Sequence, residues 1–543
     1  MSGYLRTLKY KARINLVPGI ARVANLFGIP YQKLGETLGR EVLLAQARDF
    51  VSTETPRNAN PLKVSFLTII GGHTYNSAVD VVLALTLKNR GHEVEAIVCD
   101  KALPLCDSKK AANESEWPRI CEKCWSYGNR LMSSYNIPVT RVSEIIASDS
   151  GDHRQDWPDE IDSSLLKHFG VGVLDENDHR LAERRAMFKK SAAISEAIGA
   201  YLVKKARDRI IMSHGIYTTW GPARLVLNSN NVPVVTYSKT KKANAEKFNW
   251  STGGDWWDVS DEWEKVKQKP LTSSQQKLID DYLESRRSHS KDTLVYNFGA
   301  ESDRNETFEN LGLNKDLTTF TLFTNVLWDA ASAQREIAFS NPIDWVIQTI
   351  TWFLDKPHLQ LIVKVHPAEV VIGTNQPFAQ VVREHFSSLP NHIRIIEPHE
   401  KVNSWSIIGI TDLGIVHTST VGMELPLEGV PCMVVSRTHF RGKGFTIDID
   451  SKEKYFELLS DWNTEGIDEE KNRIFAERYA YLLFERYQLP FHVFIEPSHT
   501  NVVALKHSTI DELANYKTMQ LVTRAIENKD QFLMPEDATK HWS

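Results

Sequence analysis

With 543 residues the chain is too long for one hydrophobic core, and roughly 100 to 200 residues per domain predicts two or three. A hydrophobic share of 42% with 24% charged residues fits a folded soluble chain, and a net charge of -5 argues against general nucleic-acid binding. No apolar run approaches the roughly 20 residues of a membrane span and no signal-peptide pattern is seen, so a cytoplasmic body is expected. Five cysteines are too few and too unevenly placed for a secreted disulfide framework.

Residues 1 to 60 read as an amino-terminal helical arm and linker. Arg6, Lys9, Lys11, Arg13, Arg22 and Lys33 alternate with Leu5, Leu8, Tyr10, Ile14, Leu16 and Val17, with no acid among the first 35 residues. That composition suits either a helix packed on the first domain or an arm on the anionic inner face of the cell membrane, a peripheral contact. Gly35 to Val51 is helical in pattern, and Ser52 to Pro61 reads as linker.

Residues 61 to 292 are expected to form a first Rossmann-like domain. Lys63 to Ile70 reads as a near-continuous buried strand, followed by Gly71-Gly72-His73, a helix from Ser77 to Asn89, and a strand from Glu93 to Cys99, together one βαβ unit. Such sheets place ligands at the carboxyl ends of their strands. His73, titrating near neutrality, is the candidate general base, or a histidine that only orders the turn; Asp80, seven residues on, is the alternative base. Cys99, Cys106, Cys121 and Cys124 include a C-x-x-C pair and are candidate ligands of a structural zinc ion, or reduced buried thiols. Ser148 to Ser163 reads as an acidic surface insertion, and Arg180 to Ala206 as a long helix. The strands Arg209 to Met212 and Asn231 to Tyr237 end at the same ligand-binding edge, which makes His214, Tyr217 and Lys239 further candidate contacts. Trp250, Trp256 and Trp257 can stack on sugar faces or cover an apolar edge. Residues 258 to 292, charged and helical, read as the interdomain connector.

Residues 293 to 460 are expected to form a second Rossmann-like domain, opening with a strand over Thr293 to Phe298 and continuing with Thr318 to Phe323. Asn325 and Asp329 leave that second strand. Leu361 to Val365 then runs into His366-Pro367, where proline ends the ladder and presents the histidine at the lip of the sheet. Leu413 to Val416 runs into His417-Thr418-Ser419-Thr420, and a helix follows to Gly429. Hydroxyls and amides there suit a phosphate, Glu424 suits ribose hydroxyls, and Arg441 and Lys443 supply further positive charge. Residues 461 to 543 read as carboxyl-terminal helices with a polar tail.

The HP turn, the H-T-S-T turn, the M-E-L-P-L-E-G-V-P helix end and the F-R-G-K-G-F-T loop, most clearly over residues 290 to 450, resemble the capsule polysaccharide biosynthesis family of bacterial glycosyltransferases, including the Kdo transferases. The resemblance implies a GT-B fold, two Rossmann-like domains facing across a cleft, with the nucleotide-sugar held mainly by the second and the carboxyl-terminal helices packing back on the first. It implies nucleotide-phosphate contacts for His366, Ser419 and Thr420, similar to those of bacterial sialyltransferases, and a donor-facing turn at Asn325; His417 and Thr418 of the hydroxyl turn and Glu424 are further donor-binding candidates, and His214, Tyr217 and Lys239 then fall on the acceptor side. Function is then expected to be sugar transfer from a CMP-, UDP- or GDP-linked donor to a growing surface glycan or glycolipid. No D-x-D motif ends a predicted strand, so no catalytic metal is expected. A UDP-sugar 2-epimerase, a CDP-glycerol glycerophosphotransferase and a non-catalytic assembly protein of an export complex are the rival readings.

Overall fold

The computed structural model describes residues 31–50, 58–149, 151, 156–288, 299–329, 334–495 and 504–536. Most of the basic arm and the expected strand over Thr293 to Phe298 lie outside them. Strands β1 (Lys63–Leu67), β2 (Glu93–Val98), β3 (Val139–Arg141), β4 (Arg209–Ser213), β5 (Val234–Lys239) and β6 (Ala245–Trp250) form the first sheet. Their order is β6-β5-β4-β1-β2-β3, parallel from β3 to β5 and antiparallel between β5 and β6. The parallel strands need helical crossovers to return in the same direction, whereas β5 and β6 are joined by a short hairpin. Val64, Phe66, Ile210, Ile211, Val234 and Val235 are fully buried, as expected of strands covered on both faces.

The second sheet contains β7 (Thr318–Phe323), β8 (Leu359–Lys364), β9 (Ile393–Ile396), β10 (Leu413–Val416), β11 (Cys432–Val434) and β12 (Ile447–Asp448). All its pairings are parallel, in the order β12-β11-β10-β7-β8-β9. Both sheets therefore reverse strand order once, between β1 and β4 and between β7 and β10. Such a reversal opens a crevice at the carboxyl ends of the strands, which is where α/β sheets of this type bind ligands.

Between the sheets run the helices Ser260–Val266 and Ser273–Ser288, whose Trp263, Ile279 and Tyr282 share a core with Val416 and Tyr479 of the second half. After the helix Glu469–Ala480 the chain returns: β13 (Leu489–Pro490) pairs antiparallel with β6, extending the first sheet. The helix Lys517–Asn528 then buries Met519, Val522 and Ile526 in the core that holds Val64 and Phe66.

The expected surface insertion at Ser148 to Ser163 is only partly one. A helix spans Pro158–Phe169, and Trp157, Ile161 and Leu165 are buried, four residues apart on one face. Asp159 and Asp162 are exposed on the outer face. Among the described residues no helix is long and apolar enough to cross a membrane.

Candidate functional site

A cleft of about 530 Å³ lies between the two sheets. The second domain lines it with residues that leave β7, β8, β10 and β11, and the first domain with the tip of the β5–β6 hairpin and residues 255–257. It brings together Asn325, His366, Thr418, Ser419, Thr420, Glu424 and Lys239. Lys239 closes β5 and the others sit just past a strand end or on the helix after β10, because parallel strands deliver their connections to one edge.

His366 is held by its own backbone. Its N–H donates to Thr324 Oγ1 at 3.0 Å, and its Nδ1 accepts from Ala368 N–H at 3.1 Å. A neutral imidazole that accepts at Nδ1 carries its hydrogen at Nε2, so the ring offers a donor. Loss of solvent, then Lys241 and Lys364, pushes its pKa down to about 3, which keeps the ring neutral near pH 7. Burial also pushes Lys364, at the end of β8, down to about 8. Glu424 receives Arg286 of the connector helix, with Nη2 to Oε1 at 2.8 Å. Two further contacts join the domains across the cleft: Arg335 pairs with Asp255, and Lys241 Nζ donates to Thr420 Oγ1. Arg335 also lies over the Trp256 ring, 4.5 Å from its centroid. Trp257 stacks on His439 with centroids 5.0 Å apart, while Trp250 packs on Phe532 away from the cleft.

Three expected donor residues are not on the cleft. His417 is 2% exposed, its ring against Trp345, because side chains alternate at the end of β10 and Thr418 takes the outward place. Dry surroundings push its pKa down to about 3. Arg441 turns back to Val434 O and Asp450, and Lys443 Nζ donates to Ser260 Oγ at 2.8 Å. Their loop bends at Gly442 and Gly444, with φ of 73° and 88°, a conformation that favours glycine and sends both basic heads away. Sequence reasoning did not single out Lys241, Arg286, Arg335 or Lys364; the one available signal was a lysine closing an otherwise apolar strand at Lys364.

Beside the cleft, the strand reversal of the first sheet gathers a second cluster. His73 Nε2 is 3.2 Å from Ser108 Oγ, and His214 Nδ1 is 2.9 Å from Ser213 Oγ. Lys167 Nζ lies 3.5 Å from Asp107 Oδ1 and 4.0 Å from the Tyr217 ring centroid. Burial pushes His73 down to about 4 and His214 down to about 3, with Lys167 adding to both, so both imidazoles are neutral near pH 7 and only weakly basic, below the near-neutral titration expected of His73. Burial pushes Tyr217 up to about 12. Asp329, on the cleft wall, acts electrostatically on Lys167 and Tyr217 and so links this cluster to the cleft. His214 and Tyr217 have φ of 47° and 57°, uncommon for side-chain-bearing residues and frequent at functional turns. Lys239 lies over the Tyr75 ring at 3.6 Å.

Asp80 is elsewhere. It is 2% exposed inside the helix Thr74–Asn89 and accepts from Thr68 Oγ1 at 2.7 Å and Tyr237 Oη at 2.8 Å, off the cleft lining. A base must reach its substrate, so Asp80 is corrected to a packing role. The expected zinc set does not assemble either: among the described residues no three His, Cys, Asp or Glu side chains stand where they could hold a metal ion. Cys99, Cys106, Cys121 and Cys124 are free thiols, and Cys124 Sγ accepts from Gly72 N–H at 3.1 Å. Burial pushes the Cys124 thiol up to about 11.

Two Rossmann-like domains with a cleft between the carboxyl ends of their strands define the GT-B architecture. No protein-family model matches the sequence, and no curated protein does. Among solved structures, the chain is similar to Thermosulfurimonas dismutans KpsC, β-Kdo 2,4 transferase (16% identity, TM-score 0.34, covering 57% of this chain and 88% of that one). It is also similar to the UDP-GlcNAc 2-epimerase from Neisseria meningitidis bound to UDP-GlcNAc (11%, TM-score 0.26, 78% and 100%). A third is CalG4, the calicheamicin glycosyltransferase (11%, TM-score 0.24, 77% and 95%).

Proposed function

We propose that the chain is a GT-B glycosyltransferase that moves a sugar from a nucleotide-linked donor to a hydroxyl of a growing surface polysaccharide or glycolipid. The observation that carries this reading is the edge of the second sheet. At its strand reversal His366, Ser419, Thr420 and Lys364 line one cleft, with the Glu424 carboxylate beside them. A nucleotide fits that pattern with its phosphate on the hydroxyls and cation and its ribose toward Glu424.

In the proposed reaction the bond between the anomeric carbon and the phosphate oxygen breaks, and its electron pair stays on the phosphate. The hydrogen on His366 Nε2 and the Ser419 and Thr420 hydroxyls meet that charge, and Lys364 balances it. The acceptor oxygen bonds the anomeric carbon from the first-domain side and passes its proton to neutral His73, with Asp107, Lys167, His214 and Tyr217 ordering the acceptor. The chain's own cations carry the neutralisation in this scheme, so transfer is expected to persist in excess chelator.

The test is a screen of CMP-, UDP-, GDP- and CDP-linked donors for thermal stabilisation, followed by transfer assays with the best of them. His73→Ala is expected to keep donor-induced stabilisation and to lower transfer. No stabilisation by any donor refutes the reading. Two carboxylates and two histidines gathered beside the cleft, Asp107, Asp329, His73 and His214, also favour a second reading, a UDP-sugar 2-epimerase. Release of free sugar from a UDP-sugar without any acceptor identifies it.

A further inference from the structure

We infer that Lys241, carried by the first domain, is a ligand of the donor's phosphate, so that the leaving-group site is assembled from both domains. This inference rests on the function proposed above and extends it to a residue on the opposite wall. Lys241 sits in the hairpin between β5 and β6 and reaches across the cleft, where its Nζ donates to Thr420 Oγ1 on the hydroxyl turn. It lines the same cavity as His366, Ser419 and Lys364. An ammonium bonded to one phosphate-binding hydroxyl is within reach of the oxygen that the hydroxyl would bind.

The hairpin tip is built to present this side chain. Thr240 N–H donates to Ala245 O at 3.3 Å and Thr240 Oγ1 to Lys242 O at 3.0 Å, which closes the turn. The returning carboxyl-terminal segment then clamps it: Lys242 Nζ donates to Glu485 Oε1 at 2.7 Å, Lys242 N–H to Gln488 Oε1 at 3.4 Å, and Phe491 N–H to Asn244 O at 2.6 Å. Lys242 is thus an anchor and Lys241 is the residue delivered. A long flexible lysine loses less freedom on binding when its backbone is already fixed. The positive charge on Lys241 also helps to keep His366 neutral, so the two residues act as one cation and one uncharged donor.

As the anomeric carbon–oxygen bond breaks, negative charge grows on the phosphate oxygen, and an ammonium from the first domain meets it only when the domains are closed. Water-exposed donor in an open cleft would lack that stabilisation, which ties bond breaking to the presence of the acceptor domain.

The test is calorimetric titration of CMP, CDP, UDP and GDP into the full-length parent, Lys241→Met and Lys241→Arg, each first shown to melt as the parent does. Lys241→Met is expected to bind the best nucleotide roughly 10- to 100-fold more weakly, the range of one charge-assisted hydrogen bond, with a shallower salt dependence. Lys241→Arg is expected to recover most of the affinity. Equal affinity of Lys241→Met and the parent overturns this inference while leaving the proposed function standing. Failure of the parent to bind any of the four overturns both.

Discussion

His366 offers the sharpest separation of structure from chemistry. Its Nδ1 accepts from Ala368 N–H at 3.1 Å, a local bond, while the proposed reaction uses the hydrogen on its Nε2 for the donor's phosphate. Asparagine places its oxygen near Nδ1 and reaches no further; glutamine places an amide nitrogen near Nε2 but loses the local acceptor. His366→Asn is therefore expected to hold the turn and to lose transfer by about 100- to 1000-fold in kcat, the cost of one donor aimed at developing charge. His366→Gln is expected to be less active than the parent and more active than His366→Asn, with a lower melting temperature from the unmet Ala368 N–H, a cost of about 1 kcal/mol. Initial rates with the best donor and melting curves measure both. The folded ring titrates near 3 against an ordinary value of 6.5, so between those pH values the unfolded chain binds the proton and the folded one does not. Its contribution is present above pH 6.5 and is lost as pH falls toward 3, and His366→Asn is expected to flatten that acid-side loss. Parent-like kcat in His366→Asn would refute the reasoning.

Other substitutions test other parts of the site. Arg286→Met leaves the mostly buried Glu424 without the guanidinium 2.8 Å away, and is expected to cost about 3 kcal/mol in urea unfolding, with Arg286→Met/Glu424→Gln costing less. Asp80 is raised by burial to about 7 from 3.8, so the folded state holds a proton that the unfolded state releases across that range. Stability from this group falls as pH rises from about 4 to about 7, and melting curves of Asp80→Asn should lack that decline. A methyl group at Gly71 would stand 2.6 Å from Gly128 Cα, a backbone atom that cannot rotate aside. Gly71→Ala is expected to cost about 1 to 3 kcal/mol and to lower transfer by moving the turn that carries His73.

The parallel strands were legible because strands buried on both faces need no alternation and read as apolar runs: Leu361 to Val365 was expected and Leu359–Lys364 forms, Leu413 to Val416 was expected and forms. Ala245–Trp250 was missed, since Glu246, Lys247 and Asn249 interrupt its run although all three are buried. Trp263, Ile279 and Tyr282 of the connector enter the second core, which local charge in residues 258 to 292 conceals. Trp157, Ile161 and Leu165 were overlooked for a related reason: their spacing of four is a helical stripe, but the acids around it dominate the composition.

The site divides along the same line. Residues whose position follows from a strand end, Asn325, His366, Thr418 and Ser419, could be placed without knowing the sheet order, because every parallel strand delivers its carboxyl end to one edge. What a strand end does not reveal is the phase of alternation one residue further on, and that phase is what turns His417 into the core beside Trp345 while Thr418 faces the cleft. Charges are harder still, since a lysine or arginine reads the same whether it meets water or a ligand. Arg441 and Lys443 looked suitable beside the phosphate turn, yet Asp450 and Ser260 hold them; Lys241 and Arg286 looked ordinary, and tertiary packing brings them to it. Where a cation ends up depends on which distant segment fixes its backbone: for Lys241 that segment begins more than two hundred residues later, at Glu485, Gln488 and Phe491, and no local pattern around the hairpin encodes it.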